Sequence, residues 1–309
     1  MTLCLAWARR GEISLASDSR LTGPFGILSD IATKIFTVRV QVTSPDGQKI
    51  FFQDAYGLCF TGSYLNGSLI ADSMGELLSS LTLPALHQIS AETIATIAFG
   101  IYQDISSHLM ALNQRGGLSE MWLAGHCPQQ GRNRLFRFSW RYTDTGDGIS
   151  LTMTEEKLAD NTLLFLGDQN AINRARELAP RIRFENGRFA NGYTEYHLLR
   201  EIIDDPSIGG VGGAIQTGHL IGRTFRLFGM VDYEIDNLPG QEIKWVRPVY
   251  TFRGIPLVRA MENGSPVRIQ TSKLSMAPFT EKQAALEAEA HRLNQQDSGS
   301  LPGSDGTIE

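Results

Sequence analysis

The chain has 309 residues, 42% of them hydrophobic and 20% charged, with a formal net charge of -5. That size and balance fit a globular protein of one large domain or two small ones. The mild acidity leaves no electrostatic footprint for nucleic acid, and no apolar run approaches the roughly 20 residues of a spanning helix.

The opening residues carry no secretion signal, so a cytoplasmic protein is expected, with neither a nucleic-acid nor a membrane partner. The three cysteines, Cys4, Cys59 and Cys127, are odd in number and widely spaced. They suggest buried thiols rather than a disulfide framework or a cysteine zinc site. The histidines form no zinc-binding cluster, and no metal or cofactor is expected.

Residues 2–8 are mostly apolar and read as a strand. Arg9, Arg10, Gly11 and Glu12 form a hairpin turn, and 13–17 is the return strand. Asp18, Ser19 and Arg20 follow it directly. After a looser Gly/Pro segment, 34–42 gives a strong strand signal, with a turn at Pro45, Asp46 and Gly47. Residues 50–52 and 57–61 are two further strands.

The period then changes. Leu65, Leu69, Ile70, Met74, Leu77 and Leu78 line one face of a helix over about 63–80. A second helix covers 91–112, with Ser90 as its N-cap. Strands return at 120–125, 134–138 and 163–167. Helices follow at 170–179 and 194–203, and late strands at 214–215 and 224–231. Sheet, helices, sheet is the resulting scheme, and two neighbouring helices between sets of strands point to a second sheet. Residues 281–293 read as an exposed or partner-binding helix and 295–309 as a disordered tail.

The chemistry starts at Thr2. With Met1 removed, this residue carries a hydroxyl and a free α-amine. An ordinary α-amine has a pKa of roughly 7.7–8.0, so near neutrality it can take the hydroxyl proton during attack on a carbonyl. Asp18 ends the second strand near the level at which the first begins, and Lys34 opens the next strong strand. A buried lysine beside the hydroxyl favours its deprotonation, and a carboxylate keeps that lysine charged and placed. Gly62 lies where a strand gives way to a helix, a position at which a backbone N–H can serve a developing oxyanion. The glycine-rich run 209–213 has neither P-loop nor dinucleotide spacing and is expected to pack tightly beside the first strand. His126 and Cys127 are adjacent but have no third partner.

The stretch 2–7 together with 11–20 resembles proteasome beta subunits and, more closely, the bacterial proteasome-like peptidases of the N-terminal-nucleophile (Ntn) hydrolase superfamily. Thr2, Asp18 and Lys34 match the family's catalytic threonine, aspartate and lysine at both intervals. Arg20 matches the arginine after the aspartate, and Gly62 the oxyanion glycine. Asn170 stands near the place of the family's later serine. Asp204 and Ser207 fit its Asp-x-x-Ser element when two residues are inserted before Gly212 and Gly213. An insertion over 39–54 lengthens the hairpin between Lys34 and Gly62.

The resemblance spans about residues 2–230. It implies an α/β (α+β) fold, a four-layer alpha-beta-beta-alpha sandwich of the Ntn-hydrolase type over 2–235. A C-terminal extension of strands and a helix would occupy 236–294, and a tail 295–309. It also implies peptide-bond hydrolysis through a threonine acyl-enzyme, a ring-like or helical homo-oligomer, a peptide or unfolded-protein substrate and an ATP-dependent unfoldase as partner. Two alternatives stay open: an amidase acting on a small amide, and an inactive proteasome-like assembly protein.

Overall fold

β1 (Leu3–Arg9) and β2 (Glu12–Ser17) pair antiparallel from Cys4↔Ser17 to Arg9↔Glu12. The computed structural model describes residues 2–84, 89–143, 148–160, 162–185, 194–237 and 244–256. Arg10 and Gly11, between the two strands, have φ of 51° and 77°, the positive pair that lets a two-residue turn follow the strand twist. β3 (Leu21–Gly23) and β4 (Gly26–Ser29) form a small hairpin of their own. β5 (Ile35–Thr43) and β6 (Ile50–Gly62) make a long one. Then come α1 (Tyr64–Leu78), the short β7 (Leu81–Thr82) and α2 (Ala91–Asn113).

The second half supplies β8 (Ser119–Cys127), β9 (Arg132–Tyr142), β10 (Ile149–Glu156) and β11 (Leu163–Gly167). α3 (Gln169–Glu185) and α4 (Thr194–Ile203) follow. β12 (Gln216–Ile221), β13 (Thr224–Asn237), β14 (Lys244–Phe252) and β15 (Ile255–Pro256) close the described chain.

Two sheets result. One has the order β11-β1-β2-β12-β13-β14-β15 and the other β10-β9-β8-β6-β5-β7. Alternation along β1, second from one edge of its sheet, shows how that sheet is covered on both faces. Leu3, Leu5 and Trp7 face Ala171, Ala175, Leu199 and Ile202 of α3 and α4. Cys4 and Ala6 face the opposite way, into a layer shared with Cys59, Trp122 and Ala124 of the second sheet. The outer face of that second sheet, with Val38, Val40, Leu58 and Phe136, packs on Ile70, Met74, Ile94 and Ala98 of α1 and α2. Side chains of successive strand residues point to opposite faces, so strands apolar on both faces must be covered twice. The chain is a four-layer α-β-β-α sandwich.

Several elements differ from the sequence expectation. The two strands expected at 50–52 and 57–61 are one strand, β6. The polar residue that interrupts the apolar pattern, Asp54, is buried because Thr224 donates to it and Arg223 lies 3.5 Å away. The Gly/Pro segment contains β3 and β4, too short to show a period. β10 gives no clear apolar pattern, because it is a half-exposed edge strand rich in Ser, Thr and Glu. α3 runs past the expected 170–179, with Pro180 inside it. Ser90 does cap α2, its Oγ accepting the Thr93 N–H at 3.1 Å. His126 bonds Asn133 at 3.1 Å and Cys127 sits in the core. β13 runs across residue 235, and β14 and β15 extend the same sheet. The helix expected at 281–293 and the tail at 295–309 lie outside the described residues. Among the described residues, no helix is long and apolar enough to cross a membrane.

α4 is fastened to the first sheet by polar groups as well as apolar ones. Arg9 holds Glu195 through two bonds of 3.1 and 2.9 Å. Beside them His219 is 8% exposed, its Nδ1 2.7 Å from Ser14 Oγ and its Nε2 2.9 Å from Tyr196 Oη. Burial lowers the His219 pKa from 6.5 to about 4. Because the folded value lies below the unfolded one, the unfolded chain binds more protons between them. The contribution is complete above about pH 6.5 and is lost as pH falls toward 4. Urea titrations across this window should show stability falling by up to about 3 kcal/mol, and His219→Gln should flatten that dependence.

Candidate active site

The hairpin register sets the first relation. With Cys4 opposite Ser17, the next position outward places Asp18 opposite Leu3, beside Thr2. Asp18 is fully buried. Its Oδ1 accepts the Leu3 N–H at 3.1 Å and Lys34 Nζ at 3.0 Å. Its Oδ2 accepts the N–H groups of Arg20 and Gly212, each at 3.1 Å. Burial raises the Asp18 carboxyl above the ordinary carboxylate range, and the Lys34 charge and hydrogen bond, with the Gly212 and Leu3 N–H donors, pull it back. A carboxylate taken out of water needs such a complete donor set.

Lys34 is 2% exposed. Its own N–H donates to Gln216 Oε1 at 3.0 Å, and its carbonyl accepts the Phe60 N–H at 3.2 Å. The Gln216 Nε2 donates to the carbonyls of Ala32 at 2.7 Å and Asp18 at 3.3 Å. One buried amide thus ties β12 to both residues of the ion pair. Nothing in the local sequence around Gln216 signals this.

Thr2 is 4% exposed. Its carbonyl accepts the Asp168 N–H at 2.8 Å. Asp168 also caps α3, Oδ1 taking the Ala171 N–H at 3.0 Å. Gly167 just before it has φ of 128°, and a Cβ there would come within 2.0 Å of the Thr2 carbonyl oxygen. The turn from β11 into α3 therefore presses on the start of the chain, and only glycine fits the contact. An Asp before a helix is a readable cap signal, whereas Asn170, the residue expected near this place, is exposed on the first turn of α3.

Gly62 ends β6 with φ of 94°. Ser63 follows as the N-cap of α1, its N–H donating to Leu118 O at 2.8 Å and its Oγ accepting from Asn66. The Phe60 N–H faces Lys34, so by the two-residue alternation the N–H of Gly62 points to the same edge. A Cβ at Gly62 would sit 2.7 Å from Leu118 O.

The glycine-rich run packs against residues 18–20 at the end of β2, not against the first strand. Besides the Gly212 bond to Asp18, the Ser19 N–H donates to Gly212 O at 3.1 Å. The Ser19 hydroxyl donates to Asp30 O at 2.5 Å and accepts the Ala214 N–H at 2.7 Å. Arg20 pairs with Asp30 at 2.7 and 3.0 Å and reaches Gly209 O at 3.3 Å. The Arg20 hydrogen bond holds the Asp30 carboxyl below its usual value. Asp204 and Ser207 are exposed beyond α4. Asp204 lies 3.9 Å from Arg200, and Ser207 Oγ donates to Asp205 at 2.6 Å. Asp18, Lys34, Arg20 and Gly212 thus share one hydrogen-bonded neighbourhood, which reaches the chain beside Thr2 through the Leu3 N–H.

Removing one partner from a buried ion pair leaves the other charge unpaired. Asp18→Asn should cost about 3–5 kcal/mol of stability, measured by urea denaturation. Adding Lys34→Met should recover part of the loss, because the stranded ammonium is gone.

No family model and no curated protein matches the chain. Among solved structures it is similar to "Anbu (Gly-1) mutant from Hyphomicrobium sp. strain MC1", at 13% identity, over 99% of this chain and 100% of that one, with a TM-score of 0.48. A likeness that distant carries no weight beside the layers and contacts themselves, and these alone define the four-layer sandwich.

Proposed function

We propose that the chain is an N-terminal threonine hydrolase of the proteasome-like type, cleaving peptide bonds once Thr2 carries a free α-amine. The observation that carries this reading is the Asp18 carboxylate, which takes Lys34 Nζ and the N–H of Leu3 on one oxygen. The lysine is thereby tied to the residue that follows Thr2.

In the proposed reaction, Thr2 Oγ adds to the carbonyl carbon while the α-amine takes the hydroxyl proton. The buried Lys34 ammonium favours the alkoxide. The Gly62 N–H, aimed at the Lys34 edge, steadies the oxyanion with help from the N-terminus of α1. Collapse breaks the C–N bond, and the proton passes to the departing amine. Water then adds to the ester, and the C–O bond breaks to restore the hydroxyl. Self-association belongs to the same proposal: Leu65, Leu69 and Leu77 on α1, and Phe25 between β3 and β4, offer exposed apolar surface for it.

Intact-mass measurement after treatment with a peptide epoxyketone tests the chemistry. That warhead closes a ring with both the hydroxyl and the α-amine of an N-terminal threonine. The expected mass lacks Met1 and carries one adduct, which is absent in Thr2→Ala. A chain that keeps Met1 and takes no adduct would sink the reading.

A further inference from the structure

β14 and β15 lie far along the first sheet, yet the turn between them returns to the site. Arg253 and Gly254 form that turn, between the pairs Phe252↔Ile255 and Thr251↔Pro256. Their φ values are 53° and 79°. A Cβ on Gly254 would come within 2.6 Å of the Ser19 side chain and 3.5 Å of Gln216 Nε2. The turn therefore rests on the residue beside Asp18 and on the amide that holds Lys34.

The same two-residue Arg-Gly turn closes the β1–β2 hairpin, and there Arg10 is exposed. The turn type alone does not explain where the Arg253 side chain goes. Its guanidinium lies over the Phe36 ring, 4.9 Å from the centroid. Phe36 stacks on Phe60 at 5.9 Å, and Phe60 meets Tyr64 at 6.0 Å. These three rings flank the motif: Phe36 is two residues after Lys34, and Phe60 and Tyr64 are two residues either side of Gly62.

The cation gains little from its surroundings. Arg253 Nε is sealed from solvent and has no hydrogen-bond partner among the described residues. Burial lowers the guanidinium pKa, and among the described residues the titratable group acting against that shift is the Tyr64 phenol, not a carboxylate. Arg20, by contrast, has Asp30 at 2.7 Å. A guanidinium stacked on an aromatic face keeps its edge donors free for a planar bidentate acceptor. Phe36 and Tyr64 are only half-buried and Gly62 is exposed, so the edge beside Gly62 is open.

We infer that Arg253, framed by Phe36 and Tyr64, is an anion-recognising subsite beside the Lys34–Gly62 edge, taking a carboxylate of the bound peptide. This deepens the peptidase reading and rests on it for the word substrate, but binding alone can test it. The carboxylate is either an acidic side chain or a free chain terminus.

The test uses the full chain carrying Thr2→Ala, so that no ligand is consumed, and three fluorescent pentapeptides followed by anisotropy. One has a central Glu with both ends blocked. The second has Gln in its place. The third has the Gln and a free C-terminal carboxylate. A carboxylate-bearing peptide should bind at least tenfold tighter than the blocked Gln peptide, and which one does so identifies the source. Arg253→Gln should bring that ratio to about one, whereas Arg253→Lys should keep part of it. Equal binding of all three peptides by the Arg253-containing protein would overturn the inference and leave the residue as a packing cation, and this comparison needs no folded variant at position 253. A ratio that survives Arg253→Gln would overturn it as well. If the epoxyketone fails to label while the carboxylate preference holds, the hydrolase reading falls and the subsite stands.

Discussion

A single carboxylate organises the end of the sandwich where the chain begins. Asp18 is out of reach of water and must be satisfied by protein donors. It takes them from four places: Leu3 on β1, Lys34 before β5, its own neighbour Arg20 and Gly212 before β12. Each donor comes from a different segment, so the carboxylate fixes where those segments end relative to one another. Burial works against its charge, and the pair with Lys34 is what makes the ionised form tolerable. The arrangement is costly for stability alone, since an apolar pair of similar volume would need no such donor set.

Around that centre the packing is layered and redundant. At β1 and β2 the first sheet is buried on both faces, by α3 and α4 on one side and by the second sheet on the other. Such a core tolerates polar groups only when they are paired, and the paired ones mark where elements must meet. His219 and Tyr196 dock α4, and Gln216 docks β12 on the Lys34 segment. Asn66 joins α1 to Ser119 and Gly117 through bonds of 2.7 and 2.6 Å. The glycines at the site do the opposite work, removing side chains where backbone must approach backbone, as Gly167 does against Thr2.

The late strands give the fold a second way to shape its open edge. β13 to β15 widen the first sheet, and the last turn folds back until it touches Ser19 and Gln216. That brings a cation from late in the described chain to aromatic rings that flank its earliest motifs. The widened sheet therefore sets its last turn against Ser19 and Gln216, next to the Asp18 cluster.

The sequence by itself determined the local things. Periods of two and 3.6 located most strands and helices. Arg10 and Gly11 fixed a tight turn, and the turn fixed a register in which Asp18 stands opposite Leu3. Spacing also placed Lys34 at the head of a strand and Gly62 at a strand-to-helix junction, because both depend on neighbours close in the chain. The tertiary structure decided what no local pattern carries. Asp54 is a core residue inside one continuous strand because Thr224 and Arg223 satisfy it. Asp168, not Asn170, meets Thr2, because the bend after β11 aims its N–H there. Gln216 and Arg253 reach the site from well over a hundred residues away. Hydrogen bonds and ring contacts act over a few ångströms of space whatever the separation along the chain, so residues whose partners are that remote acquire their meaning only when the sheets close.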